Sequence, residues 1–399
     1  MKKILFLNYE YPPLGGGAGN ATQYLLREYS HIPDLEVHLV TSSVDESMHI
    51  VSVGSSVTVH SVPVGKNGKN LHFQSAKDLL RYSWAGFRYA NSLLQKEHFD
   101  VIHAFFSVPC GFMAWRLSKR YGVPYIVSLR GADVPGYSER FTGLYFFLRP
   151  VIKSIWSHAA GVIANSSGLR LLALQTNTHQ RIGMIPNGID IAEFKPDVAR
   201  ETDGIFRILC VSRVTPRKGI RFLIEGFDTL QKKQESKMEL WIIGEGDESA
   251  SLRQLVQSLH LQKSVKFFGR VAHEKLSSFY GLADVFVLPS LNEGMSNTML
   301  EALASGLPII ATVTGGTEEL VTDGENGLYI GKESSVDIAL KLKQVLIDEE
   351  LRKKMGRESR LRAEKMSWGN VAREYAEIYK EVSFYLPSAD APLKKRNDR

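Results

Sequence analysis

Short apolar runs of strand length alternate with segments of helical period along this chain, and the alternation is run through twice. That pattern restricts the fold more than composition does. Strands separated by helices pair in parallel and need helices on both faces of their sheet. In the first half the candidate strands are residues 4–8, 36–41, 57–62, 101–105, 125–129, 161–164 and 183–186. Helices fill the intervals. The longest, 76–96, carries Leu79, Leu80, Ser83, Trp84, Phe87, Leu93 and Leu94 as its expected packing stripe. Pro186-Asn187-Gly188 then opens a turn-rich stretch to about Gly204, which marks a domain boundary. The alternation restarts with strands at 206–211, 238–243, 265–268, 284–288 and 308–311, followed by helical segments at 334–365 and 371–384.

At 399 residues the chain is long for a single hydrophobic core, and two domains are expected, 1–187 and 205–368, joined by a linker at 188–204. A composition of 44% hydrophobic and 23% charged residues is that of a globular protein. The polar tail 387–399, with Lys394-Lys395-Arg396, is expected to be disordered. Met1-Lys2-Lys3 and the apolar run after it imitate a signal peptide, but the run stops at Asn8. No stretch approaches the roughly 20 apolar residues that cross a bilayer; 144–156, the nearest, contains Arg149, Pro150 and Lys153. Cys110 and Cys210 lie far apart without metal-ligand spacing, which fits a reducing, cytoplasmic setting. Net charge is +6 and uneven. Up to Pro186 there are 18 Lys and Arg against 11 Asp and Glu, and afterwards 31 against 32. A basic first half suits an acidic partner or an anionic membrane surface, and equally a surface charged for solubility. Nothing points to nucleic acid.

Residues 284–316, DVFVLPSLNEGMSNTMLEALASGLPIIATVTGG, read as strand, loop, helix, strand. Ser296 is the expected N-cap, 297–304 the helix and Ser305-Gly306 its stop. A helix N-terminus after a parallel strand presents unpaired N–H groups and a positive dipole end to an anion such as phosphate. Around this start stand Met295, Ser296, Asn297 and Thr298, with Glu293 before it and Glu301 two turns on. A carboxylate accepts hydrogen bonds and so suits sugar hydroxyls, which donate them. Phosphate and hydroxyls together suggest a nucleotide sugar; the alternative is that Glu293 caps a neighbouring helix and Glu301 is solvated.

The segment EGMSNTMLEALASGLPIIAT, with its Glu293-x7-Glu301 spacing and the following Gly315-Gly316, resembles the retaining family 4 glycosyltransferases, or glycosyl transferases group 1, of the GT-B fold. The resemblance runs from residue 4 to about 384. It implies an α/β architecture of two Rossmann-like doubly wound domains facing each other across a cleft, with a last helix, 369–386, returning to the first domain. It also implies that Glu293 contacts the donor sugar and Glu301 holds the nucleotide ribose.

Other loops fall into place beside it. Ser212-Arg213-Val214-Thr215-Pro216-Arg217-Lys218-Gly219 follows a strand, and the resemblance makes Arg213 and Lys218 the cations that neutralise a diphosphate. Gly244-Glu245-Gly246 resembles the loop that borders the nucleotide base, and Gly16 and Gly17 belong to a glycine-rich loop near the donor phosphate, or else to a plain turn. His103, Asp133 and Asn187 are candidate contacts to acceptor or sugar, with a purely structural role open for His103. Many relatives have His where this chain has Arg130, so a histidine role does not transfer. Arg130 is read either as an anion ligand or as the partner of Asp133.

The resulting expectation is a hexosyl-type transferase that moves a sugar from a UDP- or GDP-linked donor to a hydroxyl acceptor, with a lipid-linked glycan as one acceptor class. Such an enzyme would serve surface polysaccharide, lipopolysaccharide or glycolipid synthesis. No cofactor or metal is expected, since two cations and a helix N-terminus can stabilise the leaving diphosphate. The rival readings are a sugar-nucleotide epimerase of the same fold and a non-catalytic nucleotide-sugar-binding protein.

Overall fold

The computed structural model describes residues 1–66, 74–137, 142–197 and 203–382. They form two compact units. One comprises Met1–Asn165, Arg170–Ile185 and the chain from Val371 onward; the other comprises Ser166–Leu169 and Pro186–Asn370.

In the first unit eight strands form one sheet: β1 (Lys2–Leu7), β2 (Leu35–Ser42), β3 (His49–Val53), β4 (Val57–Val62), β5 (Val101–Phe105), β6 (Tyr125–Leu129), β7 (Gly161–Ala164) and β8 (Gly183–Met184). Their order is β3-β4-β2-β1-β5-β6-β7-β8, and every pairing is parallel except β3 with β4. Helix α1 (Gly17–Tyr29) leads one way from β1, while α2 (Ala76–Lys96), α3 (Phe112–Tyr121) and α4 (Thr142–His158) lead the other way. Right-handed crossovers therefore place α1 on one face and α2, α3 and α4 on the opposite face. Helix α5 (Ser167–Thr176) follows β7.

The second unit is a six-stranded, wholly parallel sheet of β9 (Phe206–Val211), β10 (Met238–Ile243), β11 (Val265–Gly269), β12 (Val285–Leu288), β13 (Ile309–Thr312) and β14 (Gly327–Ile330). The order is β11-β10-β9-β12-β13-β14. Strand residues alternate between two cores, as a sheet buried on both faces requires. Ile208 and Cys210 of β9, Leu240 and Ile242 of β10, and Val285 and Val287 of β12 join α6 (Ile220–Gln231), α7 (Ser249–Ser258) and α11 (Ser335–Ile347). Leu209, Val211, Trp241, Ile243, Phe286 and Leu288 face α8 (His273–Leu282), α9 (Asn297–Ala304) and α10 (Thr317–Leu320). Helices α12 (Glu349–Lys365) and α13 (Trp368–Val382) complete the described chain.

Several expectations need correction. The helix at 76–96 has the expected ends, set by a capping box in which Asp78 N–H donates to Ser75 Oγ (3.2 Å) and Ser75 N–H to Asp78 Oδ2 (3.0 Å). Its buried face is only partly the expected one, sharing Leu93 and Leu94 with it. Tyr82, Gly86, Ala90, Leu93 and Leu94 pack inward, while Leu80 and Trp84 are 72% and 65% exposed. At Gly86 a Cβ would stand 3.2 Å from the Met113 side chain of α3, so a small residue there makes room for the neighbouring helix. Two strands, β3 and β14, are additional; β3 is an exposed antiparallel edge with no inward stripe to give it away. The helical segment 334–365 is two helices, because Asp348 Oδ1 accepts from Leu351 N–H (2.9 Å) and starts a new one. The final helix begins earlier than expected, at Trp368. The tail 387–399 and the end of the segment 371–384 lie outside the described residues.

A buried polar chain crosses the edge of the first unit. Glu36 Oε1 lies 2.8 Å from His38 Nε2, His38 Nδ1 lies 3.0 Å from His60 Nε2, and Tyr89 Oη lies 2.9 Å from His60 Nδ1. Two facing ring nitrogens can share only one proton. Burial first, and then the positive charge of His38, lower His60 from about 6.5 to about 4. The unfolded chain takes up this proton near pH 6.5 and the folded chain only near pH 4. Stability is therefore whole above pH 6.5 and falls as pH drops toward 4, by about 3 kcal/mol at most. Denaturation midpoints followed from pH 7 to pH 4.5 should fall less steeply in His60→Asn than in the wild type.

Candidate active site

The polar residues of the second unit gather where its strand order reverses, at the carboxyl ends of β9 and β12. After β9 the chain makes a tight turn, Pro216–Lys218, and Gly219 enters α6 with φ +64°. A Cβ there would lie 2.2 Å from the Pro289 carbonyl oxygen, so only glycine allows this loop to lie against the loop after β12. Leu291 N–H donates to Arg217 O (2.8 Å) and ties the two loops further. The result is an ion pair: Lys218 Nζ stands 2.5 Å from Glu293 Oε1, with Lys218 only 9% exposed. Arg213, in contrast, is exposed, and its guanidinium has no partner among the described residues.

Helix α9 starts as its sequence dictates. Ser296 Oγ accepts from Met299 N–H (3.3 Å) and lies 3.1 Å from Thr298 Oγ1, while half-buried Met295 packs against the core beneath. Asn187 Nδ2 donates to Asn297 Oδ1 (3.1 Å), which brings the turn at the unit's beginning to the helix start. Glu301 is buried rather than solvated. Its Oε2 accepts from Tyr280 Oη (2.8 Å), and its Oε1 faces His273 Nε2 at 3.5 Å, whose other nitrogen faces Glu193 (3.3 Å). The bond to Glu301 raises the His273 pKa against the opposing effect of burial. Tyr280, His273 and Glu193 carry no signal in the sequence, since they reach Glu301 from other elements. Gly244 and Gly246 permit loop contact: Cβ atoms there would fall 1.8 Å from Ser212 O and 2.1 Å from Val214 O. Cβ atoms at Gly315 and Gly316 would stand 3.0 Å from Glu293 O and 2.5 Å from Gly294 O.

The remaining candidates belong to the first unit, at the carboxyl ends of β1, β5 and β6. Gly16 and Gly17 are exposed at the start of α1, and Gly16 has open space where a Cβ would stand. Gly16 N–H donates to Glu10 Oε2 (3.3 Å), a carboxyl whose pKa burial raises. His103 is fully buried; Nδ1 is 2.7 Å from Tyr379 Oη and Nε2 is 2.8 Å from Ser128 Oγ. Burial, aided by the charge of Arg130, holds it neutral far below the usual range. With both nitrogens occupied, His103 serves the fold as a structural histidine. Asp133 is likewise committed, to Ser107 N–H and Oγ (2.8 and 2.9 Å) and to the N–H groups of Arg130 and Gly131 (2.9 and 3.1 Å). It thus holds the loop through the Arg130 backbone. The Arg130 guanidinium goes elsewhere, lying 3.5 Å from the centre of the Phe105 ring and donating to Tyr375 Oη (3.3 Å).

Residues 15–193 match the family described as Glycosyltransferase Family 4, and residues 192–362 match Glycosyl transferases group 1. An uncharacterized glycosyltransferase of Methanocaldococcus jannaschii is 26% identical over 382 residues, 96% of this chain and 99% of that one. A D-inositol 3-phosphate glycosyltransferase of Pseudarthrobacter chlorophenolicus is 27% identical over 409 residues, 95% of each. Among solved structures, Anabaena HepE in complex with UDP-glucose superposes with a TM-score of 0.69 at 19% identity, covering 96% of this chain and 100% of that one.

The close approach at Gly219 makes a specific demand. Gly219→Ala must move the loop that carries Lys218, and a loss of about 1–3 kcal/mol of stability is expected from the left-handed backbone and the collision together. Chemical denaturation read beside Gly204→Ala, at a left-handed glycine with open space around it, should show the larger loss at Gly219.

Proposed function

The chain belongs to the glycosyl transferases group 1 and is a transferase of the GT-B fold, and from that premise we propose that it moves a sugar from a nucleoside diphosphate donor to an acceptor hydroxyl with retention of the anomeric configuration. The observation that carries this reading is the Lys218–Glu293 pair beside the capped start of α9. A cation that can reach phosphate and a carboxylate that can reach sugar hydroxyls stand within one hydrogen bond of each other.

In the proposed reaction the bond from the sugar C1 to the diphosphate oxygen breaks, and its electron pair leaves with the diphosphate. Lys218, Arg213 and the N–H groups from Met295 to Thr298 stabilise that charge. The acceptor oxygen bonds to C1 on the face the diphosphate leaves, and its proton passes to the departing phosphate oxygen. Glu293 holds sugar hydroxyls, and Glu301, set by Tyr280 and His273, accepts from the ribose. Gly16, Gly17 and Arg130 are assigned to the donor side, and Gly244 and Gly246 to the border of the base. No strong general base is required, because the step depends on positioning and charge.

The UDP-glucose complex of HepE makes UDP donors the first to try. The relative named for D-inositol 3-phosphate supports a polyol hydroxyl as acceptor. A lipid-linked glycan would place the reaction in surface polysaccharide, lipopolysaccharide or glycolipid synthesis.

Glu293→Ala and Lys218→Ala should each lower turnover at least about tenfold while leaving the melting midpoint near that of the wild type. NMR of the product should show the donor's anomeric configuration. Near-normal turnover in either variant, an inverted product, or release of an epimerised sugar nucleotide without acceptor would each overturn the proposal.

A further inference from the structure

The two helical faces of the first unit's sheet differ in kind. The face formed by α2, α3 and α4 carries nine lysines and arginines and a single acidic residue, Asp78. Lys77, Arg81, Arg88, Lys96, Arg116, Lys119, Arg120, Arg149 and Lys153 are all exposed. Asp78 is spent internally, in the α2 cap and in an ion pair with buried Lys66 (3.3 Å). Helices α1 and α13 together carry three cations and four acids. Charge placed only for solubility would not segregate in this way.

The same face exposes large apolar side chains. Leu80 (72%), Trp84 (65%), Phe112 (40%) and Phe147 (76%) project from it, whereas no exposed large apolar residue is found on α1 or on the described part of α13. All four lie in the first half of their helices, the half nearest the carboxyl ends of the strands. Cations accompany them. The Arg88 guanidinium stands 4.7 Å from the Trp84 ring centre, and Lys119 Nζ stands 4.2 Å from that of Trp115.

We propose that the α2–α3–α4 face docks on an anionic phospholipid bilayer, with Trp84, Leu80, Phe112 and Phe147 entering the headgroup region and the lysines and arginines facing lipid phosphates. The chemistry selects this occupant. An interfacial surface combines apolar and indole side chains with cations on long stems, and each cation near the surface adds to the attraction. A second copy of this face would meet its own positive charge. A nucleic acid would use the cations but leave Leu80 and Phe112 in water. No helix among the described residues is long and apolar enough to cross a membrane, so the attachment is peripheral. The carboxyl-end rim would then lie toward the lipid, where an acceptor hydroxyl on a lipid headgroup is presented.

The test is co-sedimentation of the full chain with phosphatidylcholine vesicles, with and without about one-third phosphatidylglycerol, while tryptophan emission is followed. The wild type should partition at least about tenfold better into the anionic vesicles, release with salt, and shift its emission to the blue. Leu80→Ser with Trp84→Ser should abolish most of the shift and weaken partition about tenfold. Arg88→Glu, Arg116→Glu and Lys119→Glu together should remove the preference for anionic lipid. Melting midpoints and stabilisation by UDP, measured on the same samples, should be unchanged in both variants, which separates this proposal from the donor reading. Equal partition into both vesicle types, no partition, wild-type binding by either variant, or binding of RNA in place of vesicles would overturn it.

Discussion

Strand order reverses once in each sheet, between β1 and β5 and between β9 and β12, and the chemistry of the chain follows from that topological constraint. Where neighbouring strands send their helices to opposite faces, no helix can cover the carboxyl ends between them, and a crevice is left. In the second unit α6 leaves β9 on one face and α9 leaves β12 on the other. The two loops thus released are the ones that carry Lys218 and Glu293. Neither residue could be placed by its own element alone; the ion pair exists because the glycine at 219 lets two backbones touch.

Such a pair is marginal in stability terms, since both groups are partly desolvated and the attraction only roughly offsets that cost. Its value lies in geometry. Each group is held in one orientation by the other. Glu301 is treated differently, because a neutral donor, Tyr280, and a titratable one, His273, hold its two oxygens. These charged side chains are therefore set by a surrounding layer of partners, as tight positioning demands.

Much of this was legible before any coordinates, and the reasons are local. The strands at 101–105, 125–129 and 206–211 coincide with the observed ones because a sheet buried on both faces leaves nearly continuous apolar runs, and 57–62 because its β-branched Val and Thr are bounded by turn residues. Ser296 and the extent of α9 were readable because N-cap chemistry involves only the next three residues. What escaped depends on distant partners. The edge strand β3 has no buried face, so no period marks it. A structural role for His103 is open from the sequence, but its partners, Tyr379 and Ser128, are not legible there. On α2 the apolar residues are legible but not which of them face inward, since Tyr82, Gly86 and Ala90 join Leu93 and Leu94 on the buried side.

The tyrosines of α13 carry a consequence for how the chain matures during synthesis. Tyr379 Oη joins Tyr29 Oη (2.9 Å) and His103 across 350 and 276 residues of sequence, and Tyr375 closes on Ser128 (3.0 Å). A chain emerging from the ribosome has all the strands of its first sheet by Met184, yet the buried His103 has only Ser128 for a partner, and its Nδ1 has none among these contacts until Tyr379 of the last helix arrives. The second unit needs nothing beyond Asn370 and can close before it. The first-made sheet is then the last to be finished, and until that moment its polar interior must stay open to water or find a temporary guardian. Shortening this protein at its carboxyl end therefore injures its amino-terminal half.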